Sequence, residues 1–383
     1  MNPLYAAMGP TIFEQMSRLA AERGAINLGQ GYPEDDGPLD IREFAARAII
    51  EGPNQYPPSR GLPELREAVA EHYRVHQGLD LDWRTQVVIT SGGTEALAAA
   101  MLAFIAPGDE VVLFEPFYDV YLPAVRRAGG VPRVVRLQPP HWAFEREALA
   151  AAFSDKTRLV VINTPHNPAS SVLSRAELEL VAELCRAHNA ICVSDEVWEH
   201  VLFDDAQHVS MLEVMPERTL KVGSAGKMFS FTGWKVGLAC GAPEIVDQFA
   251  KAHQYLTFTT APNLQRAVAY GLAKPHSYFE AMRSDFQRGR ARLVSALEGE
   301  GFVTLPVRGA YFVTVDLAAS GIAMNDVDFT RHAIEQGVAV IPYAPFYVSQ
   351  NGPPLIRLCF SKRDDTLDRG AVALARAKRT VRR

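Results

Sequence analysis

The 383-residue chain predicts an α/β protein: a mostly parallel sheet with helices on both faces, joined to a smaller α+β unit. Three observations carry that expectation. Short apolar runs alternate with helical patterns between about residues 87 and 240, as in sheets buried on both faces. Past Pro275 the texture changes to two long helical stretches enclosing shorter strands, which marks a second unit. The length suits two domain-sized cores rather than one.

Taken in order, residues 12–22 read as a helix. Ile26-Asn27-Leu28-Gly29-Gln30-Gly31-Tyr32-Pro33 then reads as a short extended run whose glycines let a ligand lie against backbone. Residues 54–58 form a loop, and 63–73 a helix with proline at its start. Residues 87–90 are a buried strand running into Ser91-Gly92-Gly93-Thr94 and an alanine-rich helix to about Phe104. Further strands are expected at 110–114, 133–137, 158–163, 190–194, 219–222 and 235–240. Between them, 174–189 is the clearest helix, with Ser174 as N-cap and Glu177 in the capping-box position. In the second unit, strands are expected at 302–305, 310–315, 338–342 and 356–360.

Composition narrows the function. A formal charge of −5 argues against nucleic-acid binding, and the basic tail over 376–383 reads as a solvated helix end. The four cysteines form no C-x-x-C pair, so neither zinc nor a disulfide framework is suggested and a reducing compartment fits. With no leader pattern and no run of 18 apolar residues, a cytoplasmic protein without a membrane span is expected.

The chemistry centres on Lys227, in Lys221-Val222-Gly223-Ser224-Ala225-Gly226-Lys227-Met228. A phosphate loop fails on spacing, because Gly223 and Gly226 are two residues apart and Met228 replaces the hydroxyl that would hold magnesium. An uncharged neighbourhood suits a lysine used for its nitrogen, since an exposed amine titrates near about 10.4 and must lose its proton to attack a carbonyl. Lys235 is placed to bind phosphate, and Ser91 to Thr94 offer helix N–H groups to the same anion. Asn163-Thr164-Pro165-His166-Asn167-Pro168 and Asp195 each close a strand, so an amide and a carboxylate stand at one sheet edge. Such a carboxylate can keep a ring nitrogen protonated. Arg357, in an apolar strand, suits either an internal salt bridge or a substrate carboxylate. A carbonyl, a phosphate, a basic ring nitrogen and a carboxylate together describe pyridoxal 5'-phosphate with an amino-acid substrate.

With these residues in place, the chain resembles the fold-type I, class I aminotransferases, and within them the group of kynurenine aminotransferase, glutamine transaminase K and bacterial methionine aminotransferase. The anchors are Asn27 to Gly31, Asn54-Gln55-Tyr56, Glu115-Pro116-Phe117-Tyr118-Asp119, Asn163 to Pro168, Ser224 to Gly237 and Ile356-Arg357. The resemblance implies a large cofactor-binding domain over 41–275 and a small domain from 1–40 plus 276–383. It implies that Lys227 forms the Schiff base and moves the substrate proton, and that Asp195 pairs with the ring nitrogen. Asn167 touches the ring hydroxyl and the substrate carboxylate. Gly93, Thr94, Ser224 and Lys235 hold the phosphate, with Tyr56 reaching it from a neighbouring subunit of a homodimer, and Tyr118 stacks on the ring. Arg357 and the Gly31 backbone take the substrate carboxylate, while Phe13, Tyr32, Tyr121 and Phe258 line a side-chain pocket for methionine, glutamine or aromatic residues, kynurenine included. The pattern departs at Trp198, where the family has a tyrosine that donates to the ring oxygen, at Ser170 in place of glycine, and at Thr259 where several kynurenine enzymes have histidine. Ping-pong transfer to a 2-oxo acid is expected. A cysteine-conjugate C–S β-lyase and a non-catalytic cofactor-binding sensor are the alternatives.

Overall fold

The computed structural model describes residues 1, 3–6 and 8–381, so Arg382 and Arg383 of the basic tail lie outside the described residues. Strands are numbered in chain order: β1 Ile26–Asn27, β2 Val87–Thr90, β3 Glu110–Glu115, β4 Val131–Arg136, β5 Thr157–Asn163, β6 Ile191–Asp195, β7 Thr219–Ser224, β8 Gly237–Gly241, β9 Val303–Thr304, β10 Phe312–Asp316, β11 Val338–Ala339, β12 Ile341–Pro342 and β13 Leu355–Cys359. The large sheet has the order β2-β8-β7-β6-β5-β3-β4. All its pairings are parallel except the two made by β8.

Two-faced burial explains why these runs are strands. Val111 and Leu113 of β3 enter one apolar cluster, with Leu97, Leu159 and Phe249, while Val112 and Phe114 enter the opposite one, with Ile162, Leu178 and Val181. Each such buried side chain contributes roughly 1.5–3 kcal/mol. The mostly exposed β4 closes the sheet as an edge. Helix Arg175–Ala187 carries the expected capping box: the Ser174 hydroxyl accepts from the Glu177 amide, and Glu177 accepts from the Ser174 amide.

A second, four-stranded antiparallel sheet has the order β12-β13-β10-β9. Its core joins Val313, Val315, Ile356 and Leu358 to Leu293 and Leu297 of helix His276–Gly299 and to Leu367 and Leu374 of helix Asp364–Thr380. Here the expectation of one strand over 338–342 is corrected. The run splits at Val340: β11 pairs in parallel with β1, and β12 pairs antiparallel with β13. Lys235 is also not in a strand. It adopts a left-handed conformation, φ 55°, and β8 starts two residues later.

Topology gathers the site. In β5 and β6, Asn163 lies beside Asp195, and Asp195 lies beside Val222 of β7. Because β8 is antiparallel to both neighbours, the end of β2, the end of β7 and the start of β8 meet at that same edge through Thr90, Ser224 and Gly237. No helix among the described residues is long and apolar enough to cross a membrane.

Candidate active site

A cavity of about 420 Å³ opens at this edge, between the large sheet and the smaller unit. Lys227, Asp195, Asn167, Trp198, Tyr118, Gly93, Thr94, Ser224, Lys235, Gly31, Phe13 and Arg357 all line it, so residues more than 340 positions apart in sequence share one space.

Lys227 sits in the short helix Ala225–Met228, directly after β7. Its Nζ donates to the Gly31 carbonyl and to the Tyr311 hydroxyl, both at 3.2 Å, and lies 4.4 Å from the centre of the Trp198 ring. Burial pushes its pKa down to about 8, with Arg357 and Lys235 adding to the effect and Cys359 and Asp195 opposing it. Deeper in, Asp195 accepts from the Tyr121 hydroxyl at 2.6 Å, and burial pushes its carboxyl up to about 6. This is a carboxyl that gains from a positive partner.

An anion cradle lies at one end. Helix Gly93–Phe104 starts with no side-chain cap, and its N-cap Gly92 has φ +82°, a left-handed conformation that suits glycine. A Cβ on Gly92 would stand 3.2 Å from Lys235 Nζ, so the lysine head lies against that turn. At the other end, Arg357 donates from Nη1 to Asn167 Oδ1 at 2.6 Å and from Nη2 to the Gly29 carbonyl at 3.0 Å. Its Nε is buried without a partner. The salt bridge considered from sequence is absent among the described residues, and donors remain for a ligand carboxylate. Asn27 shapes the approach: its Oδ1 accepts from the Gly29 and Gln30 amides, and a Cβ on Gly31 would meet Phe312 at 2.9 Å.

Four expected residues are placed elsewhere. Tyr121 is 3% exposed and donates to Asp195, so it supports the carboxyl, and it is not among the residues that line the cavity. Tyr32 is half exposed, with Lys362 Nζ over its ring at 4.5 Å. Tyr56, 83% exposed, meets Phe258 edge-on at 5.4 Å, and both lie away from this cavity. The reading from sequence gave no role to Asp119, Tyr311 or Phe312. Asp119 and Phe312 line the cavity, and Tyr311 touches Lys227. Tyr311-Phe312 follows a Gly-Ala break at the start of a strand, the signal that could have raised it.

Residues 23–374 match the sequence family "Aminotransferase class I and II". The chain belongs to that family and is a pyridoxal-phosphate-dependent transaminase. The solved N-succinyldiaminopimelate aminotransferase from Mycobacterium tuberculosis is 40% identical, with a TM-score of 0.95 over 98% of this chain and 100% of that one. Methionine aminotransferase of Escherichia coli (strain K12) is 40% identical over 363 residues, 94% of each chain. Kynurenine–oxoglutarate transaminase 1 of Homo sapiens is 35% identical over 387 residues, covering 91% of this chain and 92% of its own. These matches bear out the resemblance and favour amino-group transfer over the lyase and sensor readings. The cavity also fits the cofactor: the uncapped helix start beside Lys235 suits its phosphate, and the raised Asp195 carboxyl suits a protonated ring nitrogen.

Proposed function

We propose that this transaminase takes its amino group from an L-amino acid with a neutral side chain (methionine, glutamine or an aromatic residue, kynurenine included) and passes it to a 2-oxo acid. One observation carries the choice. Among the described residues the cavity lining offers a single guanidinium, Arg357, which lies over the rings of Phe312 at 4.1 Å and Phe13 at 5.2 Å, and the lining also includes Val120 and the carboxylate of Asp119. One substrate carboxylate is welcomed by that arrangement, and a second is opposed by Asp119.

Bound pyridoxal phosphate supplies an aldehyde to carry the amino group and an electron-poor ring that stabilises charge developing at the substrate α-carbon. The residues around it take these roles. Lys227, with a pKa near 8, has a substantial neutral fraction in mildly alkaline solution and moves the proton at the α-carbon. Asp195 holds a proton on the ring nitrogen by its negative charge, and Tyr121 fixes the carboxylate in place. Gly93, Thr94, Ser224 and Lys235, which line the cavity, would hold the phosphate, and Tyr118 would pack against the ring. Asn167 gives its oxygen to Arg357, which leaves its NH₂ for the ring hydroxyl or the substrate carboxylate. Trp198 replaces a phenol donor with an indole face.

We further infer a homodimer in which Tyr56 and Phe258 reach a partner's cavity; their joint exposure on one surface supports this. The four buried free thiols support a cytoplasmic setting. The separate four-stranded sheet of the C-terminal part supports domains over 41–275 and over 1–40 with 276–383.

The test is a panel of amino donors, each paired with several 2-oxo acids. Methionine, glutamine or an aromatic donor is expected to exceed aspartate and glutamate in kcat/KM by roughly tenfold or more. Lys227→Ala is expected to abolish transfer. A dicarboxylic or N-succinylated donor at the head of the panel would overturn the substrate assignment.

A further inference from the structure

Tyr311 has none of the roles above, yet its hydroxyl touches the reactive nitrogen. Its ring is buried, edge-on to Trp198 at 4.2 Å and packed by Phe312 at 5.2 Å and Phe286 at 5.7 Å, so the phenol has one available pose. The hydroxyl donates to the Gly31 carbonyl at 2.8 Å. Its single proton is thereby committed, and towards Lys227 Nζ, 3.2 Å away, the oxygen presents only a lone pair.

We propose that Tyr311 is a positioning residue for Lys227, fixing the lysine nitrogen over the Trp198 face and strengthening its hold on its proton. The inference rests on the reading of Lys227 as the reactive nitrogen. An ammonium is a stronger donor than a neutral amine, so an oxygen fixed as acceptor favours the protonated form. The aromatic face 4.4 Å away acts in the same direction. The titratable and charged groups around Lys227 are Asp195, Cys359, Arg357 and Lys235; none of them hydrogen-bonds its nitrogen, whereas Tyr311 and Gly31 do. Without the phenol oxygen, the lysine keeps the Gly31 carbonyl alone and releases its proton at lower pH.

The experiment uses the full-length chain freed of cofactor and follows carbamylation of Lys227 in cyanate, in which the neutral amine attacks the carbon of isocyanic acid, by peptide mass spectrometry across pH with the rate referred to the isocyanic acid concentration. In Tyr311→Phe the midpoint of the pH dependence is expected to fall by about half to one pH unit. Since the phenylalanine variant can fail to fold, 3-fluorotyrosine at position 311 provides a second route. It keeps the packing, weakens the oxygen as acceptor and shifts the midpoint the same way by less. A midpoint that stays put or rises overturns the proposal, as does a change confined to the plateau rate, which signals altered access alone. The readout needs neither cofactor nor turnover. Failure of wild-type protein to transaminate would therefore sink the functional reading while leaving this result interpretable.

Discussion

Asp195 and Lys227 are disfavoured in their charged forms by the same burial, with opposite dependences on pH. The Asp195 carboxyl is raised from 3.8 to about 6, so between those values the native chain holds a proton that the unfolded chain has released. Stability without cofactor therefore falls as pH rises through that window and stays lower above it. Lys227 is lowered from 10.5 to about 8, so its cost is fully present below pH 8 and is relieved as pH rises towards 10.5. Asp195→Asn keeps an oxygen for Tyr121 and removes the charge. The cofactor-free variant is expected to be more stable in denaturant melts above pH 6, by up to about 3 kcal/mol. The same variant is expected to lose roughly a hundredfold or more in kcat. Equal stability of the two proteins would show that the carboxylate is not strained in the empty cavity. Ser170 shows a milder local compromise. It adopts φ +56°, a left-handed conformation that suits glycine, and its hydroxyl donates to the Phe312 carbonyl at 2.9 Å, a bond that glycine lacks.

Between β6 and β7 a buried ionic network fixes the turn that directly follows Asp195. Lys221 of β7 donates to Glu196 and, at 2.6 Å, to Glu199, with all three side chains fully buried. Glu196 also accepts from His208, Ser194, Ser210 and the Met211 amide. Burial opposes ionisation of Glu196, yet Lys221 and His208 hold its carboxyl well below the ordinary range. Lys221→Ala leaves two buried carboxylates without their cation and is expected to cost about 3–5 kcal/mol by chemical denaturation. The loss is expected to shrink in acid as the carboxylates take up protons; a pH-independent loss would point to packing instead.

Much at this scale was legible. Strand 87–90, the capped helix after Ser174 and the strand-end positions of Asn163 and Asp195 follow from apolar runs ended by turn formers. The break at Val340 was not, because a continuous apolar run does not say which sheet each half joins. Tyr121 was misplaced for a related reason. A motif gives proximity to the site but not whether an aromatic ring lines the cavity or only hydrogen-bonds a residue that does. Tyr311 was passed over because an aromatic pair opening a strand reads as core, and its ring is indeed buried there.

For the whole molecule, the exposed aromatic pair Tyr56 and Phe258 gives the proposed homodimer its sharpest test. Sedimentation at micromolar concentration is expected to show a dimer, and Tyr56→Ala is expected to weaken pyridoxal-phosphate retention by roughly tenfold while the dimer persists. A monomer that retains full activity would remove Tyr56 from the site. The split at Val340 has its own consequence. Residues 338–342 bind the N-terminal segment to the Arg357 strand, and Arg357 itself donates to the Gly29 carbonyl, so Gly29, Gly31 and Arg357 are tied together from outside the sheet that carries Lys227 and Asp195. Both oxygen partners of the Lys227 nitrogen, the Gly31 carbonyl and the Tyr311 hydroxyl, lie on that side. Any displacement of these strands relative to β7 therefore shifts both acceptors of the Lys227 nitrogen together.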